Sequence, residues 1–201
     1  MGIIERKQRQ REALRKDILQ IARELAGREG WGSVSIRKIA DLIEYSPPVI
    51  YEHFENKEAI LMALKMEGFQ TLLADSRQAA SLYTQPADRL LAQARAYWHF
   101  ALAHTDLYQV MFSIGGVACG LQHMPKEAQA HVDHSGHSIR ETLAELVAAG
   151  RYPDADVSFK FEAFWALLHG LVSLALVNKI GCHQRVEKIL DDAVQGFIRS
   201  L

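Results

Sequence analysis

Residues Gly32–Phe69 carry the most informative pattern of the chain and read GSVSIRKIADLIEYSPPVIYEHFENKEAILMALKMEGF. Ser35 stands before Ile36, Ile39, Ala40 and Ile43, which repeat at helical spacing, so we expect Ser35 to cap a short helix. The helical pattern breaks at Glu44–Tyr45. The segment therefore predicts a short helix followed by a tight turn.

A second and a third helix follow this turn. Ser46 is expected to cap the second helix with Pro47 at its first position, where the missing N–H costs nothing. This helix is expected to carry Val49, Ile50, Tyr51 and His53. Asn56 is expected to cap the third helix, with Lys57 in its first turn. Two short helices joined by a tight turn, the second with small side chains at its start, suit insertion into the DNA major groove.

Helical periodicity also dominates the chain on both sides of this segment, whereas period-two alternation is scarce. Four apolar stripes mark long helices: Leu14–Leu25, Leu90–Leu102 after Pro86, Val132–Leu146 before Gly150, and Val186–Leu201. We therefore expect an all-α protein of about nine helices.

The composition excludes several classes of protein. The chain has 201 residues, of which 49% are hydrophobic and 23% charged, so it is not a disordered chain. A net charge of -1 excludes a generally basic protein that coats nucleic acid. Cys119 and Cys182 suggest no disulfide framework, the N-terminus is too charged for a signal peptide, and the apolar run Ala163–Val177 is shorter than the ~20 residues of a membrane span. We expect a soluble cytoplasmic protein with no membrane partner.

Charge is distributed unevenly along the chain. Residues 1–16 hold six basic and two acidic residues, and residues 1–66 hold twelve and ten. The excess has the sign expected of a DNA-binding N-terminal part. A solvated helix face with a mobile basic tail would show the same excess, and charge alone favours that alternative.

The segment resembles the DNA-binding domain of the tetracycline-repressor (TetR) family. That family has a long first helix and a Gly-aromatic turn, matched here by Gly30–Trp31. The residues in register are Ser35, Ile39, Ala40, Tyr45, Ser46, Ile50, Tyr51, His53, Phe54, Lys57, Glu58 and Ile60 or Leu61. The resemblance implies an N-terminal helix-turn-helix domain over residues 1–67, with a basic tail over 1–12, and a C-terminal ligand-binding and dimerisation domain over 68–201.

The resemblance also implies which residues contact DNA. The expected set is Arg37, Lys38, Ser46, Pro47, Pro48, Val49, Tyr51, His53 and Lys57. Tyr51 and His53 match positions that contact phosphates on either side of the groove, and Lys57 matches a phosphate-binding lysine. Tyr51 is also expected to pack through its ring.

Three residues depart from the family pattern. Glu44 occupies a position usually held by Gly, so the turn must accept a side chain, with a positive φ. Val49 replaces a common Thr, which removes a hydroxyl donor and adds a methyl surface suited to a thymine methyl. Glu52 stands where a basic residue is frequent and would repel phosphate. These departures affect the operator sequence more than the DNA-binding role.

The stretch Phe161–Val177, FEAFWALLHGLVSLALV, is apolar on nearly all sides and must be covered on all sides. An intrachain core can cover one face and a partner subunit the other, in agreement with TetR-family dimers, which pair their last two helices. The expected interface residues are Leu167, Leu171, Leu174, Ile189, Ala193 and Phe197. A two-fold dimer implies a near-palindromic DNA site.

Trp165, His169 and Gly170 also resemble a C-terminal subgroup of the family with a W-x-x-x-H-G arrangement. His169 is either a satisfied core histidine or a hydrogen-bonding group in a ligand pocket. The candidate pocket residues are Tyr97, Trp98, Phe100, Tyr108, Met111, Phe112, Trp165 and His169, although such side chains are more often core. No cofactor is implied.

Two other functions compete with this interpretation. His131, His134 and His137 recur every three residues, so a metal-binding or enzymatic helical bundle is an alternative, although adventitious surface histidines are commoner than metal sites and neither HExxH nor repeated Glu-x-x-His is present. The other alternative is a regulator that binds DNA constitutively. The leading hypothesis is a non-enzymatic, ligand-responsive regulator, usually a repressor in this family, that is released from its operator by a small-molecule effector.

Overall fold

The computed structural model describes residues 2–114 and 136–201, and the regular structure of these residues is helical, without strands. Nine α-helices and one 3-10 turn, Trp31–Ser33, lie in this part of the chain. The helices are α1 (Ile3–Glu29), α2 (Ile36–Leu42), α3 (Pro47–Tyr51), α4 (Lys57–Ser81), α5 (Pro86–Ala103), α6 (Thr105–Met111), α7 (His137–Ala149), α8 (Val157–Leu176) and α9 (His183–Arg199). The all-α prediction is confirmed.

The described residues form two compact units. The first contains residues 2–68 and 105–114, and the second contains residues 69–104 and 136–201. The sequence interpretation assigned everything after residue 67 to the C-terminal domain, whereas α6 packs with the first unit, where it contacts α1.

The first unit is held together by an apolar core between α1 and the helices that follow it. Ile18 and Ala22 of α1, Ile39 of α2 and Ile50 of α3 are fully buried. Trp31 is buried in the 3-10 turn that follows α1. This core fixes α2 and α3 against α1, so that their polar residues face outward.

The predicted caps of α2 and α4 are confirmed. The Ser35 hydroxyl accepts a hydrogen bond of 3.3 Å from the Lys38 backbone N–H. The Asn56 side-chain oxygen accepts one of 2.8 Å from the Ala59 N–H. Both caps satisfy a donor that the first turn of a helix leaves unpaired.

The start of α3 differs from the prediction in one respect. Ser46 occupies the N-cap position and Pro47 the first helical position, but the Ser46 side chain makes no capping hydrogen bond. The capped donor is normally the second or third N–H of a helix. Pro48 has no N–H, and the Val49 N–H donates to the Ser46 backbone carbonyl at 3.0 Å. The hydroxyl therefore has no partner in the helix start.

Two further expectations were wrong, whereas the expected conformation of Glu44 is confirmed. Helix α3 ends at Tyr51, so His53 lies in the following turn rather than on the helix. The predicted basic tail, residues 1–12, belongs from Ile3 onward to α1, whose start is capped by a 3.1 Å hydrogen bond from the Gly2 N–H to the Glu5 carboxylate. Glu44 has a φ of 60°, in the left-handed region.

The second unit packs α5 against α7, α8 and α9. Its core includes Trp98, Phe100, Leu143, Phe164, Val172 and Leu190. A buried hydrogen bond of 2.9 Å joins Gln93 of α5 to the Ser138 hydroxyl of α7. Arg95 of α5 forms a 2.7 Å ion pair with Asp191 of α9.

Helix α8 is longer than the apolar run seen in the sequence. It spans 20 residues with a mean hydropathy of 1.3, and by length and composition alone it could cross a membrane. The expectation that this segment is too short for a membrane span was therefore wrong. Only 17% of its apolar window is buried within the chain, so most of the helix surface lies outside the core of the second unit.

Candidate nucleic-acid interface

Helices α2 and α3 place their apolar side in the core and their polar side outward. Ile39, Ala40 and Ile50 are fully buried. Most of the predicted DNA-contact residues are exposed, namely Arg37, Lys38, Ser46, Pro48 and Tyr51, while Pro47, Val49, His53 and Lys57 are half-buried. The structure thus places the predicted set in and around one helix-turn-helix.

The turn between the two helices is closed by backbone hydrogen bonds around Glu44. The Tyr45 N–H donates to the Ala40 carbonyl at 3.0 Å, and the Glu44 N–H donates to the Asp41 carbonyl at 3.4 Å. The positive φ of Glu44 allows this closure although the residue carries a side chain. The turn leaves Tyr45 about half exposed beside the recognition segment.

Tyr51 and His53 form the exposed end of the recognition segment. The Tyr51 side chain is 55% exposed, so its hydroxyl is available to a ligand. Burial lowers the pKa of His53, and the charges of Arg11 and Arg15 lower it further against the opposing charge of Glu52. His53 is therefore neutral near pH 7 and has one ring N–H to donate.

The predicted phosphate-binding lysine already has a partner within the protein. The Lys57 ammonium donates a hydrogen bond of 3.0 Å to the backbone carbonyl of Trp31. This bond ties the start of α4 to the 3-10 turn. An ammonium has three N–H donors, so two remain for another ligand.

The two basic residues of α2 have different surroundings. Lys38 pairs with Glu29 at 2.8 Å, and this hydrogen bond lowers the pKa of the Glu29 carboxyl. Arg37 is exposed and forms no ion pair with the residues described. Arg37 is therefore the more available of the two cations.

Two arginines of α1 reach the end of the recognition segment. The Arg11 guanidinium donates to the Glu52 backbone carbonyl at 3.3 Å. The Arg15 guanidinium lies 4.3 Å from the centre of the Phe54 ring, within the range of a cation–π contact. The sequence did not reveal these contacts, because each joins residues about forty positions apart.

A partly buried ion-pair network ties α1, α4 and α6 together in the first unit. The Arg23 guanidinium contacts Asp106 at 2.6 Å and Glu67 at 3.0 Å. Burial opposes the charge of Arg23, but the hydrogen bonds and charges of the two carboxylates outweigh burial and raise its pKa. The Trp31 indole N–H donates to the Asp106 backbone carbonyl at 3.2 Å. No local pattern in the sequence indicated this network.

The predicted ligand-pocket residues are divided between the two units. Tyr108, Met111 and Phe112 belong to the first unit, and the others to the second: Tyr97, Trp98, Phe100, Trp165 and His169. In the second unit, the Tyr97 hydroxyl lies 3.4 Å from the His169 Nδ1. The Trp165 ring is stacked on the imidazole at a centroid distance of 5.1 Å. Burial lowers the pKa of His169, so the ring is neutral near pH 7.

Helix α8 carries a continuous apolar face on the side away from the core of the second unit. Phe159 is 67% and Leu174 is 47% exposed, and both lie on this side. Between them stand Ala163, Ala166 and Gly170. A Cβ added to Gly170 would meet no atom within 4 Å. Small residues in the middle of an exposed apolar face allow another helix to approach closely.

The predicted interface residues lie on or beside this face. Leu174 is exposed, and the half-buried members are Leu167, Leu171, Ile189, Ala193 and Phe197. Phe197 also packs within the chain, because its ring lies 5.2 Å from that of Phe164.

Histidines provide no metal site in the part of the chain that the structure describes. No three His, Cys, Asp or Glu side chains group there in a way that could hold a metal ion. His137 lies 3.1 Å from Glu141, its neighbour one helical turn on. His131 and His134 lie outside the described residues.

Two family models match the chain. A model described as "Bacterial regulatory proteins, tetR family" matches residues 18–64, which cover α2 and α3. A model described as "Tetracyclin repressor-like, C-terminal domain" matches residues 90–197. The second match alone covers more than half of the chain.

Individual relatives point to the same family. The HTH-type transcriptional activator FasR of Mycolicibacterium smegmatis is 28% identical over 102 residues, 51% of this chain and 47% of its own length. The chain thus spans about half the length of the curated relatives it matches. A Rhodococcus sp. RHA1 protein of unknown function shares the fold at a TM-score of 0.80 and 27% identity, with 94% and 95% of the two chains covered. PfmR, a TetR family regulator from Thermus thermophilus, does so at 0.69 and 20%, with 92% and 95% covered. The chain belongs to the TetR family and is a DNA-binding transcriptional regulator, not an enzyme.

Proposed function

We propose that this protein is a cytoplasmic, homodimeric repressor that binds a near-palindromic operator and is released from it by a small-molecule effector. The observation that carries the proposal is the helix-turn-helix of α2 and α3, whose apolar side is buried while its outer side offers hydroxyl, phenol, imidazole and guanidinium groups. Family membership supplies the DNA-binding role, and the arrangement of these groups supports the assignment of individual contacts.

The proposed DNA contacts divide into base readout and phosphate binding. Pro47, Pro48 and Val49 start the recognition helix and offer apolar surface to bases, thymine methyl groups in particular. Ser46 and Tyr51 offer exposed hydroxyls to phosphates. Phosphate contacts position a module, whereas base contacts specify the sequence, so this helix reads few base-edge hydrogen bonds.

The remaining phosphate contacts come from the neighbouring elements. We assign Arg37 and Lys38 of α2, the neutral imidazole of His53 and the two spare Lys57 donors to backbone phosphates. Lys38 must share its ammonium with Glu29. Lys57 must share its ammonium with the Trp31 carbonyl.

We propose the exposed face of α8 as the centre of the dimer interface. An exposed stripe with Ala163, Ala166 and Gly170 between larger apolar residues is typical of a surface that packs against another helix. The half-buried Ile189 and Ala193 of α9 extend the same apolar surface. A two-fold dimer presents two recognition helices and therefore fits a near-palindromic site. Burial in a dimer also accounts for the apolar length of α8 without a membrane.

We propose the neighbourhood of Tyr97 and His169 as the polar corner of the effector site. The phenol and the neutral imidazole are hydrogen-bonding groups in otherwise apolar surroundings, the usual composition of a small-molecule site. An effector that binds the DNA-free conformation more tightly shifts the population toward it and lowers DNA affinity.

A second candidate function is transcriptional activation. FasR, which matches half of this chain, is an activator. An activator of the same fold would bind a similar palindrome, so the two candidates differ only in the effect of binding on transcription. Transcription from the bound promoter, measured with and without the protein, distinguishes them.

The DNA-binding proposal is tested by selecting sites for the purified full chain from a library of random duplexes. The expected result is one enriched near-palindromic sequence, bound with an affinity that falls as salt rises. Tyr51→Phe should weaken binding to selected and unselected duplexes alike, because its hydroxyl is assigned to a phosphate. Tyr83→Phe, a tyrosine outside the helix-turn-helix, is the matched control. Enrichment of no sequence would contradict the proposal.

The effector proposal needs a separate measurement. A small-molecule library is screened for compounds that raise the melting temperature of the protein, and each hit is then added to the protein–operator complex. The expected result is a compound that stabilises the protein and releases DNA, with both effects reduced in His169→Phe. If no compound raises the melting temperature, the constitutive-binder alternative is favoured over effector release.

A further inference from the structure

The first turns of α1 extend well beyond the core of the first unit. The helix begins at Ile3, whereas its first buried side chain is Ile18. All residues from 4 to 13 are exposed. The segment is nevertheless a capped helix, because the Gly2 N–H bonds to the Glu5 carboxylate. The protein thus carries an exposed helical extension, defined here as residues 3–14, whose purpose the core does not explain.

The extension presents a basic face on the side that faces the helix-turn-helix. With 100° per residue, Lys7, Arg11 and Arg15 lie on the same side of α1 as Ile18. Arg11 contacts the Glu52 carbonyl and Arg15 the Phe54 ring, so this side does meet the end of the recognition segment. Lys7 lies one turn further out on the same face. The inward stripe of α1 therefore changes from apolar to basic where the helix passes the end of α3.

This basic face is continuous with the proposed DNA-binding surface. A groove between α1 and the recognition segment is lined by Gln10, Arg11, Tyr45 and His53, among others. Asp17 and Glu52 also line the groove and would repel phosphate from its inner end. The favourable place for a phosphate is therefore the outer end, near Lys7 and Arg11.

We propose that the helical extension of α1 is a second DNA contact, in which Lys7 and Arg11 bind backbone phosphates outside those reached by α2, α3 and the start of α4. The proposal rests on the proposed DNA-binding function and adds a surface to it. DNA carries one negative charge per ~1.7 Å of helix axis, which suits a row of cations along an exposed helix. Arg11 spends one Nη2 donor on Glu52, and a guanidinium has five N–H donors.

The test compares two charge-matched double variants of the full chain. Lys7→Gln with Arg11→Gln removes two cations from the inward face. Arg6→Gln with Lys16→Gln removes two cations from the opposite side of the same helix, so the net charge changes equally. Each protein is titrated against the selected operator duplex at several salt concentrations. Far-UV circular dichroism checks that both variants keep the helix content of the wild type.

The inward variant should bind more weakly than the control, and the slope of log affinity against log salt should shrink by about 0.9 for each phosphate that is no longer bound. Equal slopes and affinities in the two variants would overturn the inference and leave the DNA-binding function intact. A wild type that binds no duplex would overturn both. If the inward double variant fails to fold, Lys7→Gln against Arg6→Gln gives the same comparison and keeps the hydrogen bond between Arg11 and Glu52.

Discussion

At the scale of single residues, several side chains of the DNA-binding unit serve both the fold and the surface. Lys57 is the clearest case. The family resemblance assigned it to a phosphate, and the structure shows its ammonium bound to the Trp31 carbonyl at 3.0 Å. Because α4 begins at this residue, the same contact fixes the helix start against the turn that precedes α2.

Replacement of Lys57 by Met should therefore lower the free energy of unfolding by about 1–3 kcal/mol, since a part-buried carbonyl loses its charged donor. Urea unfolding measures this effect. Lys57→Arg should retain most of the stability, because a guanidinium also donates. A Met variant as stable as the wild type would show that the contact does not contribute to folding.

Glu44 holds a conformation that suits glycine better than glutamate. Its φ of 60° costs an L-residue of the order of 1 kcal/mol. Glu44→Gly should relieve this strain, and after the larger entropy of an unfolded glycine the net gain in stability should be below about 1 kcal/mol. Glu44→Ala keeps the strained φ and should show no gain. Thermal unfolding of the two variants would contradict this interpretation if the glycine variant were the less stable.

His169 should make the stability of the protein depend on pH. Burial lowers its pKa in the folded state below the ordinary value of 6.5. As pH falls through about 6.5, the unfolded chain takes up a proton that the folded chain does not, so unfolding becomes more favourable. The wild type should thus lose stability relative to His169→Phe below this pH, and the difference should be constant above it. The exposed His99, replaced by Gln, is the control in pH-dependent thermal melts, and a pH-independent difference for His169→Phe would count against the effect.

At the scale of elements, the starts of α2 and α3 look alike in sequence but differ in structure. Ser35 caps α2 through its hydroxyl, whereas Ser46 makes no capping bond to α3. Ser35→Ala should therefore cost about 0.5–2 kcal/mol of stability, and Ser46→Ala almost none. The opposite order should appear in DNA affinity, because the Ser46 hydroxyl is assigned to a phosphate. Chemical unfolding and operator titration of the two variants test this, and equal stability losses would contradict it.

The sequence predicted the elements well wherever local rules decide them. The caps Ser35 and Asn56 and the turn at Glu44 follow from side-chain chemistry within a few residues. The extent of α3 did not, because a helix of five residues lacks the periodicity that would mark its end before His53. The basic tail was also misjudged, since charged residues at helical spacing give no apolar stripe although they form good helices.

Contacts between distant elements were beyond local patterns. Arg23 and Asp106 are 83 positions apart, and neither stands in a recognisable motif. The division of the aromatic pocket candidates between two units was equally invisible, because Tyr108 and Tyr97 carry the same helical periodicity and differ only in the helix against which they pack. Tertiary packing, rather than propensity, decides both features.

At the scale of the whole molecule, the exposed face of α8 connects the fold to the proposed dimer. Gly170→Glu should leave the chain folded, because an added Cβ meets no atom within 4 Å, but should dissociate the dimer by placing a charge at a close helix contact. Gln195→Glu adds the same carboxylate to an exposed position of α9 and is the control. Sedimentation velocity gives the mass of each variant. A Gly170→Glu protein that remains dimeric would place the interface elsewhere.

The central claim is that two copies of this chain read two half-sites through α2 and α3. The most direct measurement is a titration of the protein against the selected palindromic duplex and against the same duplex with one half-site scrambled, with the stoichiometry of each complex determined. The account predicts two chains bound tightly to the intact palindrome and a large loss of affinity for the single half-site. One chain per duplex, with equal affinity for the two DNAs, would contradict it.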